Sequence, residues 1–448
     1  MPPGEEKEHG IMPVSNCIFT GGLSMSIRTG FLLSLQRRFR PSILLISTAL
    51  IMAACGSSSA AKGSVTTSSA PASPYTFHAI LSLTGAGATL GSAAKQALTA
   101  FAAYENSQGG IDGHPIKVDI ADNQSTPSTA VAEATSLIHS GVPFILNGSI
   151  SSADNAVDAL AGSQGPVVYD LSPVAHPAAG SYVFAPGIST TYLEAAIANF
   201  MKVSGYSRIA IINTVDASGL AGYNDLEAAL KNPTAAGLTA VAHQTYEPNA
   251  VSVTPQLSVI KAANPQAIFV STTGTPFGTV LRGMKSLGMQ NIPTFATSGN
   301  ALQSALKNFS SVIPTHLYMP LGPLYFSPQS LPASMRSFMT RFDGVVKAAG
   351  AEPNTGWGLP VDAFLLVVRA LRALGVNATA PQLKNYLETK VKSVPESFGL
   401  YTMSVSNHVG TNGNDVWIGE WTGTSFEIVS GEYGTSVVNH VSVAQSNS

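Results

Sequence analysis

The sequence predicts an α/β protein of two lobes, each built on a mainly parallel sheet flanked by helices. Three observations predict it. From Tyr75 onward, short β-branched or aromatic runs alternate with helical patterns of about 10–15 residues, the signature of parallel sheets wound on both faces. The 374 residues from Tyr75 to Ser448 exceed the roughly 250–300 at which one core usually stops growing. The expected strands end in hydroxyl, amide and glycine residues, and strand carboxyl ends are where parallel sheets bind ligands.

The chain before Tyr75 reads as a targeting segment. Residues 43–55, Ile-Leu-Leu-Ile-Ser-Thr-Ala-Leu-Ile-Met-Ala-Ala-Cys, form an apolar run behind Arg37, Arg38 and Arg40 that is too short to span a bilayer. Cleavage before Cys55 would make it the mature N-terminus, with its thiol free for acylation. The segment resembles the lipobox of bacterial lipoproteins, with Met52 where leucine is commonest. An ordinary signal peptide cut at Ala54 is the alternative. Residues 1–54 are therefore expected to be a signal region. Its first 24 residues carry Glu5, Glu6 and Glu8, which suit an n-region poorly, and Met25 is an alternative start. Residues 56–74 are small and polar and cannot bury a core, so 55–74 is expected to be a lipid-anchored tether on the outer face of the cell membrane.

Within the folded part, residues 75–83 read as a strand, followed by a turn with Thr84, Gly85 and Gly87. The next helix places Ala94, Ala97, Leu98, Phe101 and Ala102 on one face at 3.6-residue spacing. Gly109, Gly110 and Gly113 break the chain before a strand at 116–121. Thr126 is expected to cap a helix with Pro127 at its first position and Ala130, Val131, Ala134, Leu137 and Ile138 inward. A strand at 144–146 leads to Gly148 and a serine cluster. The rhythm recurs after Thr190: a helix to about Val203, strands at 208–212, 238–245, 267–271 and 294–297, and helices at 220–230, 253–263 and 277–287.

The strand ends are Leu83-Thr84-Gly85, Asn147-Gly148-Ser149, Asp170-Leu171-Ser172, Asn213-Thr214-Val215, Ser271-Thr272-Thr273 and Thr297-Ser298-Gly299. These residues suit hydrogen bonds to a small polar ligand better than acid–base chemistry. Ser149, Ser151 and Ser152 also suit the N-cap of a helix beginning near Ala153, and such a helix start favours a ligand carboxylate. Tyr169, Tyr192 and Trp357 read as packing residues, with Trp357 beside Gly358 the one candidate for a cleft wall.

Leu83-Thr84-Gly85 with Leu90-Gly91, the run Glu105-Asn106-Ser107-Gln108-Gly109-Gly110-Ile111-Asp112-Gly113, and Asp122-Asn123-Gln124 resemble the opening of the branched-chain amino-acid binding proteins, type I substrate-binding proteins of ABC importers. Ser172-Pro173-Val174-Ala175-His176 stands where that family has a Ser/Thr-Pro-small-Ala-Thr loop, and Phe398-Gly399 resembles its last crossover. The similarity covers roughly residues 75–430. It implies two lobes joined by three crossovers, with the ligand between them. The expected lobes are 75–189 with 320–398 and 190–319 with 399–440, before a tail at 441–448. The implied ligand residues are Ser151 or Ser152 for a carboxylate, Val174, Ala175 and His176 from the loop, and Ser218 and Thr273 in place of two tyrosines. Ser298 stands in place of the glutamate that pairs with a ligand ammonium group. His176 also reads as a loop histidine without a ligand role. Loss of that glutamate implies that small carboxylates or amides without an obligatory ammonium group bind better than leucine, isoleucine or valine. Asp216 is the one substitute anion the sequence offers.

The resemblance implies a monomeric solute-binding protein that delivers an amino acid, or a carboxylate or amide analogue, to the transmembrane subunits of an ABC permease. A ligand sensor without transport is the alternative. Composition fits both. Charged residues make up 11% and the net charge is −2, so no basic field draws nucleic acid. The two cysteines are Cys17 and Cys55, so the folded part has no disulfide, thiolate metal site or cysteine nucleophile. No cofactor or metal is expected, and the histidines lack metal-ligand spacing. Ser92-Ala93-Ala94-Lys95 has the Ser-x-x-Lys spacing of penicillin-recognising acyl enzymes, and Ser298-Gly299-Asn300 mimics their second motif. The same spacing recurs from Ser59, Ser258 and Ser304, and no Lys-Thr-Gly follows, so an enzyme is not the expected reading.

Overall fold

The computed structural model describes residues 72–162, 165–171 and 177–438. Cys55, the rest of the signal region and tether to residue 71, and the tail from 439 lie outside the described residues. The chain opens with β1 (Tyr75–Leu81), α1 (Ala88–Ser107), β2 (Ile116–Asp122), α2 (Pro127–His139), β3 (Phe144–Gly148), α3 (Ser151–Asp158), β4 (Val167–Asp170) and β5 (Val183–Phe184). The five strands form one sheet in the order β2-β1-β3-β4-β5, with every pair parallel. The apolar stripe expected on α1 is buried as read, from Ala94 to Ala102.

Two local expectations fail. Thr126 occupies the N-cap of α2 but makes no side-chain cap; its hydroxyl donates to the Gln124 carbonyl at 3.2 Å instead. The serine cluster does not cap α3, whose N-cap is Ile150. Ser149 turns back to the sheet, where its Oγ accepts the Ser82 amide at 3.2 Å. The first strand also stops two residues early. Beyond it the Leu83 and Thr84 amides and the Thr84 hydroxyl donate to the Asp122 carboxylate, which bends the chain off the sheet.

The second half runs α4 (Thr190–Val203), β6 (Arg208–Thr214), α5 (Ala217–Leu230), β7 (Thr239–Tyr246), α6 (Thr254–Ala262), β8 (Ala267–Ser271), α7 (Thr275–Ser286), β9 (Thr294–Ala296), α8 (Gln303–Asn308) and β10 (Leu317–Leu321). Three helices follow, α9 (Ala333–Ala348), α10 (Thr355–Leu374) and α11 (Ala380–Lys390). The short strands β11 (Val394–Glu396), β12 (Gly399–Tyr401), β13 (Trp417–Trp421) and β14 (Phe426–Ile428) end the fold. A second sheet has the order β14-β13-β10-β9-β8-β6-β7, parallel from β10 to β7 and antiparallel at its β13–β14 edge. The hairpin β11–β12 stands apart from both sheets.

Helices α9 and α10 pack on α1, and α10 and α11 touch β3 and β4, so they belong with the first sheet. Helix α4 packs on β10 and β13 of the second. The chain thus passes from the first sheet to the second between β5 and α4, returns after β10, and passes again between α11 and β13. Each sheet has its own aromatic centre: Phe77 with Phe144 and Phe364 in the first, Phe200 with Phe295 and Tyr318 in the second. Asp362 on α10 ties the third passage. Its carboxylate accepts the Ser397 and Phe398 amides at 2.9 and 3.2 Å and the Tyr401 hydroxyl at 2.8 Å. That hydroxyl in turn accepts the Gly187 amide of the first passage at 2.9 Å.

Candidate functional site

The carboxyl ends of β6, β8 and β9 meet in a web of short polar side chains. Thr214 Oγ1 donates to Asp216 Oδ1 at 2.7 Å, and Asp216 Oδ1 accepts the Gly219 amide at 2.9 Å, capping α5. Thr297 Oγ1 and Asn300 Nδ2 both donate to the Thr272 carbonyl, at 3.2 and 2.7 Å. Ser271 Oγ donates to the Gly219 carbonyl at 2.9 Å. This last contact brings α5 hard against the sheet, which only glycine permits at two positions. A Cβ at Gly219 would overlap the Thr214 backbone, and one at Gly222 would run into Ser271 Oγ and come within 3.4 Å of Glu194 Oε1.

A cavity of about 290 Å³ opens beside this web. Each chain passage contributes to its wall: Gly187 and Ile188 from the first, Gly322 from the second, just after Pro320 of β10, and Phe398 from the third. Ser218, Thr273 and Ser298 all line it. Ser151 and Ser152 lie on the first turn of α3 and are not among the lining residues. Val174, Ala175 and His176 lie outside the described residues. A larger hollow of about 680 Å³ sits by β14, between Phe426 and Ser330. It is at the antiparallel edge of the second sheet and shares Tyr325 with the smaller cavity, but none of the strand-end residues that carry ligand chemistry in this architecture lines it.

The sequence reading missed Glu194, which lines the same cavity as Ser298. It is 2% exposed, on a turn of α4 whose neighbours Leu193, Ala195 and Ala196 are buried. Burial, and secondarily the Asp225 carboxylate, push its carboxyl well above the usual carboxylate range. A charged residue inside an apolar helical run is the signal that could have found it, since glutamate is almost never fully buried without a partner. Asp216, the substitute anion the sequence offers, does not fill that role: its Oδ1 is committed to Gly219 and Thr214, and it does not line the cavity.

Other residues singled out by the sequence have structural tasks. Asn147 Nδ2 donates to Asp170 Oδ1 at 3.1 Å, and Asn213 Oδ1 lies 2.7 Å from His243 Nε2. Burial, followed by the charges of Asp154 and Asp158, lifts Asp170 well above its ordinary range. Tyr169 and Trp357 are core residues, and Tyr192 packs edge-on against Tyr433. Ser92 and Lys95 are exposed on α1 and do not line the cavity that holds Ser298. Among the described residues no cluster of three or more histidine, cysteine or acidic side chains is arranged to hold a metal, and no helix is long and apolar enough to cross a membrane.

Residues 74–425 match the periplasmic binding protein family. The chain belongs to that family. The binding protein's fold recurs in solved structures. An extracellular ligand-binding receptor from Rhodopseudomonas palustris HaA2 is 20% identical with a TM-score of 0.63, over 80% of this chain and 100% of that one. A putative branched-chain amino acid ABC transporter protein from Rhodospirillum rubrum is 18% identical with a TM-score of 0.64, over 80% and 100%. The branched-chain amino acid transporter substrate-binding protein of Streptococcus pneumoniae, solved with isoleucine, is 18% identical with a TM-score of 0.61, over 79% and 98%. Comparison with curated proteins gives no match. Family membership implies a solute-binding role and an extracytoplasmic location.

Proposed function

We propose that this binding protein is a monomeric lipoprotein, anchored through Cys55 to the outer face of the cell membrane. It captures a small polar solute, an amino acid or a carboxylate or amide analogue, and delivers it to the transmembrane subunits of an ABC permease. The solute is held between lobes formed by residues 75–189 with 320–398 and 190–319 with 399–440. The observation that carries this reading is the cavity of about 290 Å³ at the strand ends of the second sheet, walled by all three chain passages and holding Ser218, Thr273 and Ser298. A site at the passages is where closure of one lobe on the other would grip a ligand. The similar fold solved with isoleucine supports an amino-acid-sized solute. In this reading Ser151 or Ser152, with Val174, Ala175 and His176, completes the site from the first lobe. The test is mass spectrometry of small molecules released on denaturing protein purified natively from its own host. A single stoichiometric solute is expected; protein that releases nothing and binds none of a panel of amino acids and organic acids would overturn the reading.

A further inference from the structure

Glu194 is a buried carboxyl group in the wall of the cavity. Its Oε2 is buried and has no hydrogen-bond partner among the described residues. Native proteins leave few such atoms unsatisfied, and those they do leave call for an explanation. Oε1 faces Gly222 of α5, whose missing side chain leaves the carboxyl open on that side. No lysine, arginine or histidine is among the residues lining the cavity. A second acid, Asp225 on α5, adds negative charge from nearby, and its Oδ1 accepts the Thr191 hydroxyl at 3.3 Å. The rest of the wall pairs the hydroxyls of Ser218, Thr273 and Ser298 with the apolar side chains of Leu193, Leu359 and Phe398. A carboxyl group in the wall of a small, half-apolar cavity is complementary to a cation on a short apolar body.

We propose that Glu194 is the counter-ion for a protonated amine, so that this cavity selects small solutes bearing an ammonium group beside a compact apolar body. The inference rests on the solute-binding reading and deepens it. It reverses the specificity expected from Ser298: the carboxylate absent at that position enters the cavity from α4. Burial pushes the Glu194 carboxyl well above the usual carboxylate range, and an ammonium group beside it would act in the opposite direction.

The experiment is calorimetric titration of ligand-stripped protein with leucine, isoleucine and 3-methylbutylamine. The same titrations use their amine-free counterparts 2-hydroxy-4-methylpentanoate, 4-methyl-2-oxopentanoate and 3-methylbutanol. Wild type should bind at least one amine tenfold or more tighter than its counterpart. Glu194→Gln should lose tenfold or more for the amine and less than threefold for the counterpart. Glu194→Asp, which keeps the charge, should retain a measurable preference even if Glu194→Gln folds poorly, and circular dichroism of both variants establishes folding. Equal binding of amines and counterparts, or a preference that survives in folded Glu194→Gln, overturns the inference and leaves solute binding standing. So does a co-purified solute that lacks a basic nitrogen. Silence across the whole panel together with no released solute overturns both.

Discussion

At the residue scale, the two close-packed glycines of α5 make distinct predictions. The Cβ of Gly219→Ala would meet main-chain atoms of Thr214, which cannot move without disturbing β6. Overpacking of that kind costs roughly 1–3 kcal/mol, so the variant should lose about 2 kcal/mol by urea titration with little change in slope. Gly222→Ala meets the side-chain oxygens of Ser271 and Glu194, which can rotate. It should cost less stability but narrow the cavity, so solute affinity should fall more than stability does. Equal stability losses in the two variants would show that α5 shifts as a body. The same scale shows why half of the site was legible. Thr273 and Ser298 sit just past strand ends, a place that hydrophobic periodicity locates, whereas Ser218, on the first turn of α5, came from the family resemblance. Glu194 sits inside a helix, where the sequence shows an isolated charge but not which way it faces.

At the element scale, the first and third passages are joined through α10. Asp362 holds Ser397, Phe398 and Tyr401, and Tyr401 holds Gly187, whose carbonyl also accepts the Thr411 hydroxyl. Burial outweighs these hydrogen bonds and lifts Asp362 to about 7. An unfolded aspartate titrates near about 3.9, so the folded state holds this proton more tightly. The stabilisation from Asp362 is therefore complete below that value and is lost as pH rises through about 7. The melting midpoint should fall between about pH 5 and pH 8, and Asp362→Asn, which cannot ionise, should fall less steeply over that window. Parallel slopes would mean that Asp362 is already ionised at the lower pH. None of this was legible from the sequence. The strands from Tyr75 to Ala296, apart from the two-residue β5, announce themselves through alternation with helices, but β11 and β12 form a hairpin with no helix between them. Thr126 and the serines before α3 failed as caps for a related reason: residue type favours a cap, but neighbouring carbonyls and amides decided where those hydroxyls turned.

At the scale of the molecule, the chain order explains why one cavity serves two sheets. Because the helices α9 to α11 return to the first sheet and β13 and β14 rejoin the second, three passages link the halves, and all three reach the cavity wall. A few backbone segments at such passages can absorb a rotation of one half against the other while each sheet stays intact. A solute that touches both halves is bound more tightly when they approach, and binding shifts the population by that difference in affinity. The radius of gyration from small-angle scattering should therefore be smaller for the binding protein with its retained solute than after the solute is stripped by unfolding and dialysis. Gly222→Ala, stripped in the same way, should stay at the larger radius when the solute is returned at the concentration that closes wild type. Identical curves for loaded and stripped wild type would mean that the solute enters a cavity already closed, and that its specificity is set without lobe motion.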